Sequence, residues 1–215
     1  MSDHPTSARQ PILNVPPGTK ALLIAGVAVH VLRLLLPGHI DDALVSTLAF
    51  IPARYTTADG LGWPALVDPV TYQFLHVNFI HLGVNMLALL AFGSGVERRI
   101  GGWRMLVFFL VCGVVSAATH LGVYPSSREP IVGASGAISG LFGGVLRFLF
   151  GAAPGGRRGL WPIIILWIVV NFVVGQTGMP GTDGAAIAWV AHLGGFIAGL
   201  LLFDLAARNA TRHRP

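Results

Sequence analysis

Ten polar residues, His30, His76, His81, Asn85, Ser116, His120, Ser135, Ser139, Asn171 and His192, stand in or beside long apolar runs. A polar side chain at membrane depth is costly, which makes each of them a functional candidate. Ser135 sits in Gly133-Ala134-Ser135-Gly136, where a polar stretch passes into an apolar one. Gly133 permits an unusual turn and Gly136 the close approach of another chain. A serine placed there begins a helix, among free backbone N–H groups at the positive end of the helix dipole. Such a spot can stabilise a developing oxyanion. The motif alone leaves two readings open: a nucleophile, or a helix-capping serine beside packing glycines.

A nucleophilic serine needs a base. His192, in Ala191-His192-Leu193-Gly194-Gly195, is the best supplier. Ala191, Gly195 and Gly199 share one helix face at a spacing of four, and Gly136, Gly140 and Gly144 do the same. Two small-residue ridges allow very close helix packing, which would bring Ser135 and His192 within hydrogen-bond reach. His192 alone reads as a core histidine; paired with Ser135 across matched glycine faces, it reads as a general base. Seven of the nine acids lie in the N-terminal tail or the outer loops, while Glu97 and Asp204 fall near the opposite face. Asp183 could reach the serine only if its loop folded inward. A Ser–His dyad is therefore expected rather than a Ser–His–Asp triad.

His81 and Asn85 are four residues apart, on one helix face, and can offer an imidazole N–H and an amide to an oxyanion. His76 precedes His81 by five residues. A zinc site built from His76, His81 and His192 is the rival arrangement. No HExxH occurs and no nearby carboxylate could act as base, so no metal and no cofactor are expected. Ser139, one turn inside the helix on the face of Ser135, lacks free N–H groups around it and is expected to pack. His30 and His120 suit core or interface positions, and Asn171 suits a helix–helix hydrogen bond.

These residues need a scaffold, and the composition names its solvent. The 215 residues are 53 % hydrophobic and only 11 % charged, with 28 Gly and 14 Pro, and a mean hydropathy of +0.70. Soluble domains are about 25 % charged. A disordered chain, a disulfide scaffold and a nucleic-acid arm are excluded, and a soluble enzyme is disfavoured. The formal charge of +5 suits basic loops at a membrane better than a nucleic-acid partner. Six runs are long enough, or nearly so, to cross about 30 Å of hydrocarbon: residues 21–36, 79–96, 103–123, 135–150, 160–174 and 185–206. In lipid they must be helices, which makes the chain an all-α polytopic membrane protein. The expected division is a tail over 1–20, a six-helix membrane domain over 21–206 and a basic tail over 207–215.

Six spans put both termini on one side. Arg9, Lys20, Arg98, Arg99, Arg104, Arg147, Arg157, Arg158, Arg208, Arg212 and Arg214 fall there, against Arg33, Arg54 and Arg128 opposite. Both termini are therefore expected to be cytoplasmic. Lys20 and the run after it read as a retained helix rather than a cleaved signal, because no small-x-small site closes the run. The fourth run, 16 residues, spans only about 24 Å. Its serine would then lie below the surface, at the bottom of a wet outer cavity. His192, about seven residues into the sixth run, would lie at a similar depth of roughly 10 Å.

In this order and spacing the residues resemble the rhomboid family of intramembrane serine proteases, from about Leu48 to Leu202. The matching pieces are Phe74-Leu75-His76, His81-x-x-x-Asn85, Phe92-Gly93, Val96-Glu97-Arg98-Arg99-Ile100-Gly101, Gly133-Ala134-Ser135-Gly136 and Ala191-His192-Leu193-Gly194-Gly195. The resemblance implies a minimal six-helix bundle with Ser135 as nucleophile and His192 as base and later acid. It implies an oxyanion hole of Asn85, His81 and the Ser135 N–H, with His76, Gly133, Gly136, Gly195 and Gly199 as structural residues near the site. Glu97 and Arg98 would hold the turn between the second and third helices. Substrates would be transmembrane proteins, single-span or polytopic, cut near the outer side and admitted between the second and fifth helices under a cap at Gly175–Gly184. Some relatives carry an aromatic residue where Ser139 stands.

Two other classes remain. One is a catalytically inactive relative that binds membrane segments for quality control; such proteins lack the nucleophile or the base. The other is a transporter, which would want polar residues through the full depth. Thirteen Arg against one Lys, with abundant Ala and Gly, suits a GC-rich bacterial genome; a bacterial plasma membrane is then the natural placement, with an organellar membrane as the alternative. Oligomeric state and physiological substrate are not written in the sequence.

Overall fold

The computed structural model describes residues 14–57, 61–151, 156–178 and 188–208, with the backbone alone at 156–158. Expectations resting on Asp3, Arg9, Asp59, Arg157, Arg158, Asp183, Arg212, Arg214 and most of Gly175–Gly184 lie outside what is described. The described residues form eight α-helices: α1 Pro17–Leu34, α2 Gly38–Leu48, α3 Pro64–Thr71, α4 Phe79–Ile100, α5 Gly102–Val123, α6 Ser135–Phe150, α7 Gly156–Thr177 and α8 Trp189–Arg208. Among the described residues there is no strand, and a single bridge joins Phe50 to Ile131. The chain is an all-α integral membrane protein: among the described residues five helices are long and apolar enough to cross a bilayer, and α6 is a shorter apolar helix.

Local sequence sets the ends. α1 starts at Pro17, whose fixed φ and missing N–H suit a first helical position. Asn78 caps α4, its side chain accepting from the His81 N–H at 2.8 Å. α4 stops at Gly101, where φ is +87°, a conformation that glycine adopts without strain. α6 follows Gly133, whose φ is +121°. No side chain caps it, so the Ser135 hydroxyl is not spent as a helix cap.

α6 is the centre of the bundle, packed on α8, α5 and α4. Its contact with α8 is made by backbone. A Cβ on Gly195 would collide with the carbonyl oxygen of Gly136, and one on Gly199 with that of Gly140. At the far end, Arg147 of α6 pairs with Asp204 of α8. Glu97 and Arg98 act further away than the turn they were expected to hold. The Glu97 carboxylate accepts from the N–H groups of Gly18 and Thr19 and from the Thr19 hydroxyl, at 2.6–2.8 Å. Arg98 donates to the Asn14 carbonyl. An anion is thereby placed on the N-terminus of α1, where free N–H groups and the dipole favour it.

The long connection between α1 and α4 is ordered around an ion pair. Asp68, fully buried, accepts from Arg54 at 2.8 Å and from the Tyr55 hydroxyl. Arg54 also donates to the Ala49 carbonyl at 2.9 Å. Burial raises the Asp68 carboxyl above its usual range, opposed by its bonds to Tyr55 and Arg54. The same connection holds the segment that leads into α6. Phe50 and Ile131 exchange backbone bonds, and the N–H groups of Ala53 and Gly133 donate to Ser127 and Tyr72, all at 2.9–3.1 Å.

Candidate active site

Ser135 and His192 start two helices that open toward the same end of the bundle. Ser135 is the first residue of α6, and His192 lies in the first turn of α8. The common depth therefore comes from two nearby helix starts, not from a histidine set two turns inside its helix. The glycine contacts bring the two backbones together, and the Ser135 Oγ lies 2.7 Å from the Nε2 of His192. Ser116 of α5 donates to the Ala191 carbonyl at 2.7 Å, which fixes the first turn of α8 beside the histidine. Both side chains of the pair are half-buried.

A cavity of about 790 Å³ opens over them, lined among others by Tyr72, His81, Asn85, Ser135, Asn171 and His192. Its volume falls within the range of ligand pockets, about 300–1,000 Å³. The His81 ring edge lies against Gly133: a Cβ there would stand 2.8 Å from its Nε2 and 3.7 Å from the Ser135 Oγ. His81 is thus placed beside the nucleophile candidate, and its Nε2 faces that side. The Asn85 amide donates to the His81 carbonyl of its own helix at 2.8 Å. An amide nitrogen carries a second N–H; Asn85 lines the cavity, and its Oδ1 is buried with no partner among the described residues.

His76 is fully buried, and among the described residues neither ring nitrogen has a side-chain hydrogen-bond partner. It stands edge-on to His81, ring centroids 5.2 Å apart. Burial, aided by the neighbouring His81, pushes its pKa down to about 3, so the ring is neutral. His30 and His120 are also buried, and His120 lines the same cavity as Ser135 and His192. Among the described residues no group of three ligating side chains could hold a metal ion. Ser139 donates its hydroxyl to the Ser135 carbonyl at 2.8 Å, as a packing serine in a helix does.

Asn171 forms the expected helix–helix bond, and its partner is the histidine. Its Oδ1 lies 2.9 Å from the His192 Nδ1. This partner was not legible in the sequence, where Asn171 is one polar residue on an otherwise apolar run. The residue on the far side of the imidazole is an amide, not an acid.

The geometry allows acyl transfer: a hydroxyl against a base, backbone N–H groups at a helix start, and two further donors beside them. Comparison with known proteins points the same way. A model of the Rhomboid domain matches residues 65–209. Rhomboid-type serine protease 2 of Emericella nidulans is 37 % identical over 158 residues, covering 71 % of this chain and 29 % of that protein. Rhomboid protease GluP of Bacillus subtilis is 31 % identical over 137 residues, covering 64 % of this chain and 25 % of that protein. Rhomboid protease GlpG of Yersinia pestis is 28 % identical over 201 residues, covering 91 % and 65 % respectively. The chain spans less than two thirds of the length of each of these relatives.

Proposed function

The chain belongs to the rhomboid family, and from that premise we propose that it is an intramembrane serine endopeptidase acting through Ser135 and His192. The observation that carries the proposal is the 2.7 Å contact between the Ser135 hydroxyl and the His192 imidazole, at the floor of an open cavity. The substrates are transmembrane proteins, reached within the bilayer and cut near its outer side.

The steps follow from the groups present. The Ser135 Oγ attacks the scissile carbonyl carbon while its proton passes to the His192 Nε2. The carbonyl oxygen becomes an oxyanion and accepts from the Ser135 N–H, with His81 and Asn85 supplying further donors. The intermediate collapses as His192 gives its proton to the departing amine, leaving an acyl ester on Ser135. Water entering through the cavity is deprotonated by His192 and attacks the ester, which frees the acid and returns the proton to Ser135. Gly136, Gly195 and Gly199 keep the two helices close enough for the proton to move. Gly133 and His76 shape the wall beside His81.

The proposed orientation puts the chain before α1 and after α8 on the cytoplasmic side of one membrane domain, with Ser135 toward the outside. Eleven of the fourteen basic residues on the tail side support this. A bacterial plasma membrane is the proposed location, on the Arg-over-Lys usage of a GC-rich bacterial genome.

The test is cleavage of a single-span substrate, carrying a small residue near its outer end, by purified protein in detergent. Wild type and Ser139→Ala cleave, within about threefold of each other because Ser139 serves only a backbone carbonyl. Ser135→Ala and His192→Ala do not. Cleavage by Ser135→Ala would refute the assignment. If wild type neither cleaves nor takes a fluorophosphonate label on Ser135, the chain is a membrane-segment binding protein instead.

A further inference from the structure

The imidazole of His192 is held from both sides. Its Nε2 faces Ser135 at 2.7 Å and its Nδ1 faces the Asn171 Oδ1 at 2.9 Å. An amide can be built either way round, and here its other end decides. The Asn171 Nδ2 donates to the Trp167 carbonyl at 2.9 Å, which only an NH₂ can do. The oxygen therefore faces the ring, and an oxygen only accepts, so Nδ1 must carry the proton. That leaves the Nε2 lone pair directed at the Ser135 hydroxyl, which is the form a general base needs. Among the described residues no carboxylate takes this place.

Asn171 is also carried on the least buried of the five long apolar helices among the described residues. Among the described residues of α7, Gly175 alone is buried. α7 meets α8 through rings, with Trp167 stacked on Phe196 at 4.3 Å and Phe172 edge-on to Trp189 at 5.4 Å. Among the described residues, no second side chain of α7 hydrogen-bonds another helix. Ring contacts slide at little cost; an amide–imidazole bond is directional and is lost within about 1 Å.

We infer that Asn171 is a positioning residue for His192: it selects the Nδ1–H tautomer, fixes the ring plane, and makes the base competent only while α7 is seated against α8. The inference rests on the proposed role of His192 as base. Displacing α7 from α8 would break this bond and release the ring.

Two variants and two readouts test this in the intact chain in detergent. Nitrogen-15 spectra of the histidine rings report the tautomer without any turnover. Wild type shows the His192 Nδ1 protonated and Nε2 bare; Asn171→Ala loses that preference. In the cleavage assay Asn171→Ala lowers kcat roughly tenfold to hundredfold with KM within about threefold. Asn171→Asp, which can still accept from Nδ1–H, recovers activity above the alanine variant. Its carboxylate favours the imidazolium, so the acid limb of the pH profile moves up by about one unit. An unchanged tautomer with kcat within twofold in Asn171→Ala overturns the inference. So does an aspartate variant no better than alanine with its acid limb unmoved. If wild type cleaves nothing, the protease reading fails, yet the spectra still decide whether Asn171 sets the ring.

Discussion

Substitution of Gly199 by alanine, two turns along α8 from His192, measures how far catalysis depends on helix spacing. The glycine presents its α-carbon to the Gly140 carbonyl, and an added Cβ would overlap that oxygen. Both partners are backbone, so no side chain can swing aside. Ordinary contact returns only if the helices part by about 1.5 Å, a volume change of the overpacking kind that costs roughly 1–3 kcal/mol. A rigid shift of that size opens the Ser135–His192 contact from 2.7 Å to beyond hydrogen-bond range. A 1 Å misplacement can cost about 100-fold in rate, so cleavage falls at least that far while the thermal midpoint falls modestly. The assay is initial cleavage rate beside thermal unfolding, with Gly83→Ala as control, because a Cβ at Gly83 meets nothing within 4 Å. A Gly199→Ala enzyme within twofold of wild type, with an unchanged midpoint, would refute the claim that the backbone contact sets the catalytic distance.

Three shorter predictions follow. His76, neutral and pushed down to about 3 by burial, takes no proton in the fold where the unfolded chain does so near 6.5. Its stabilisation is whole above pH 6.5 and is lost by about 1.4 kcal/mol per unit as pH falls toward 3; His76→Gln flattens that share of the acid slope in thermal unfolding. Glu97→Gln halves the acceptors offered to Gly18 and Thr19 and removes the anion at the start of α1, which costs about 1–3 kcal/mol. It lowers the unfolding midpoint yet leaves the cleavage rate at low temperature within about threefold. Gly133→Ala must hold a φ of +121° with its Cβ 2.8 Å from the His81 ring. The strain is about 1–3 kcal/mol, and displacement of His81 lowers kcat by roughly tenfold or more.

The glycine ridges were readable because small residues at a spacing of four have one strong use in a membrane, and a serine and a histidine stood beside them. The start of α6 was readable because Gly133 marks a turn that side chains resist. Partners fixed by three-dimensional register were not. Glu97 sits in a local motif, yet its ligands are 78 and 79 residues away. Asp68 reads as one more loop acid, but the fold buries it against Arg54 and Tyr55. Asn171 was placed correctly as a helix–helix residue, while its meaning depended on which face of α7 meets α8. Periodicity reports a helix's own face and is silent on what another helix brings to it.

The order of the site residues along the chain has a consequence for biosynthesis. On the proposed reading, the nucleophile and its base are 57 positions apart, and the base rides on the last of the described helices. At roughly 5–20 residues per second of translation, Ser135 waits several seconds for His192 to be made, and longer for α8 to be inserted and packed. During that interval the newborn protein has a serine without a base, and it passes unfinished among other nascent membrane segments while unable to cut them. The same glycine contacts that set the final distance act as the arming step.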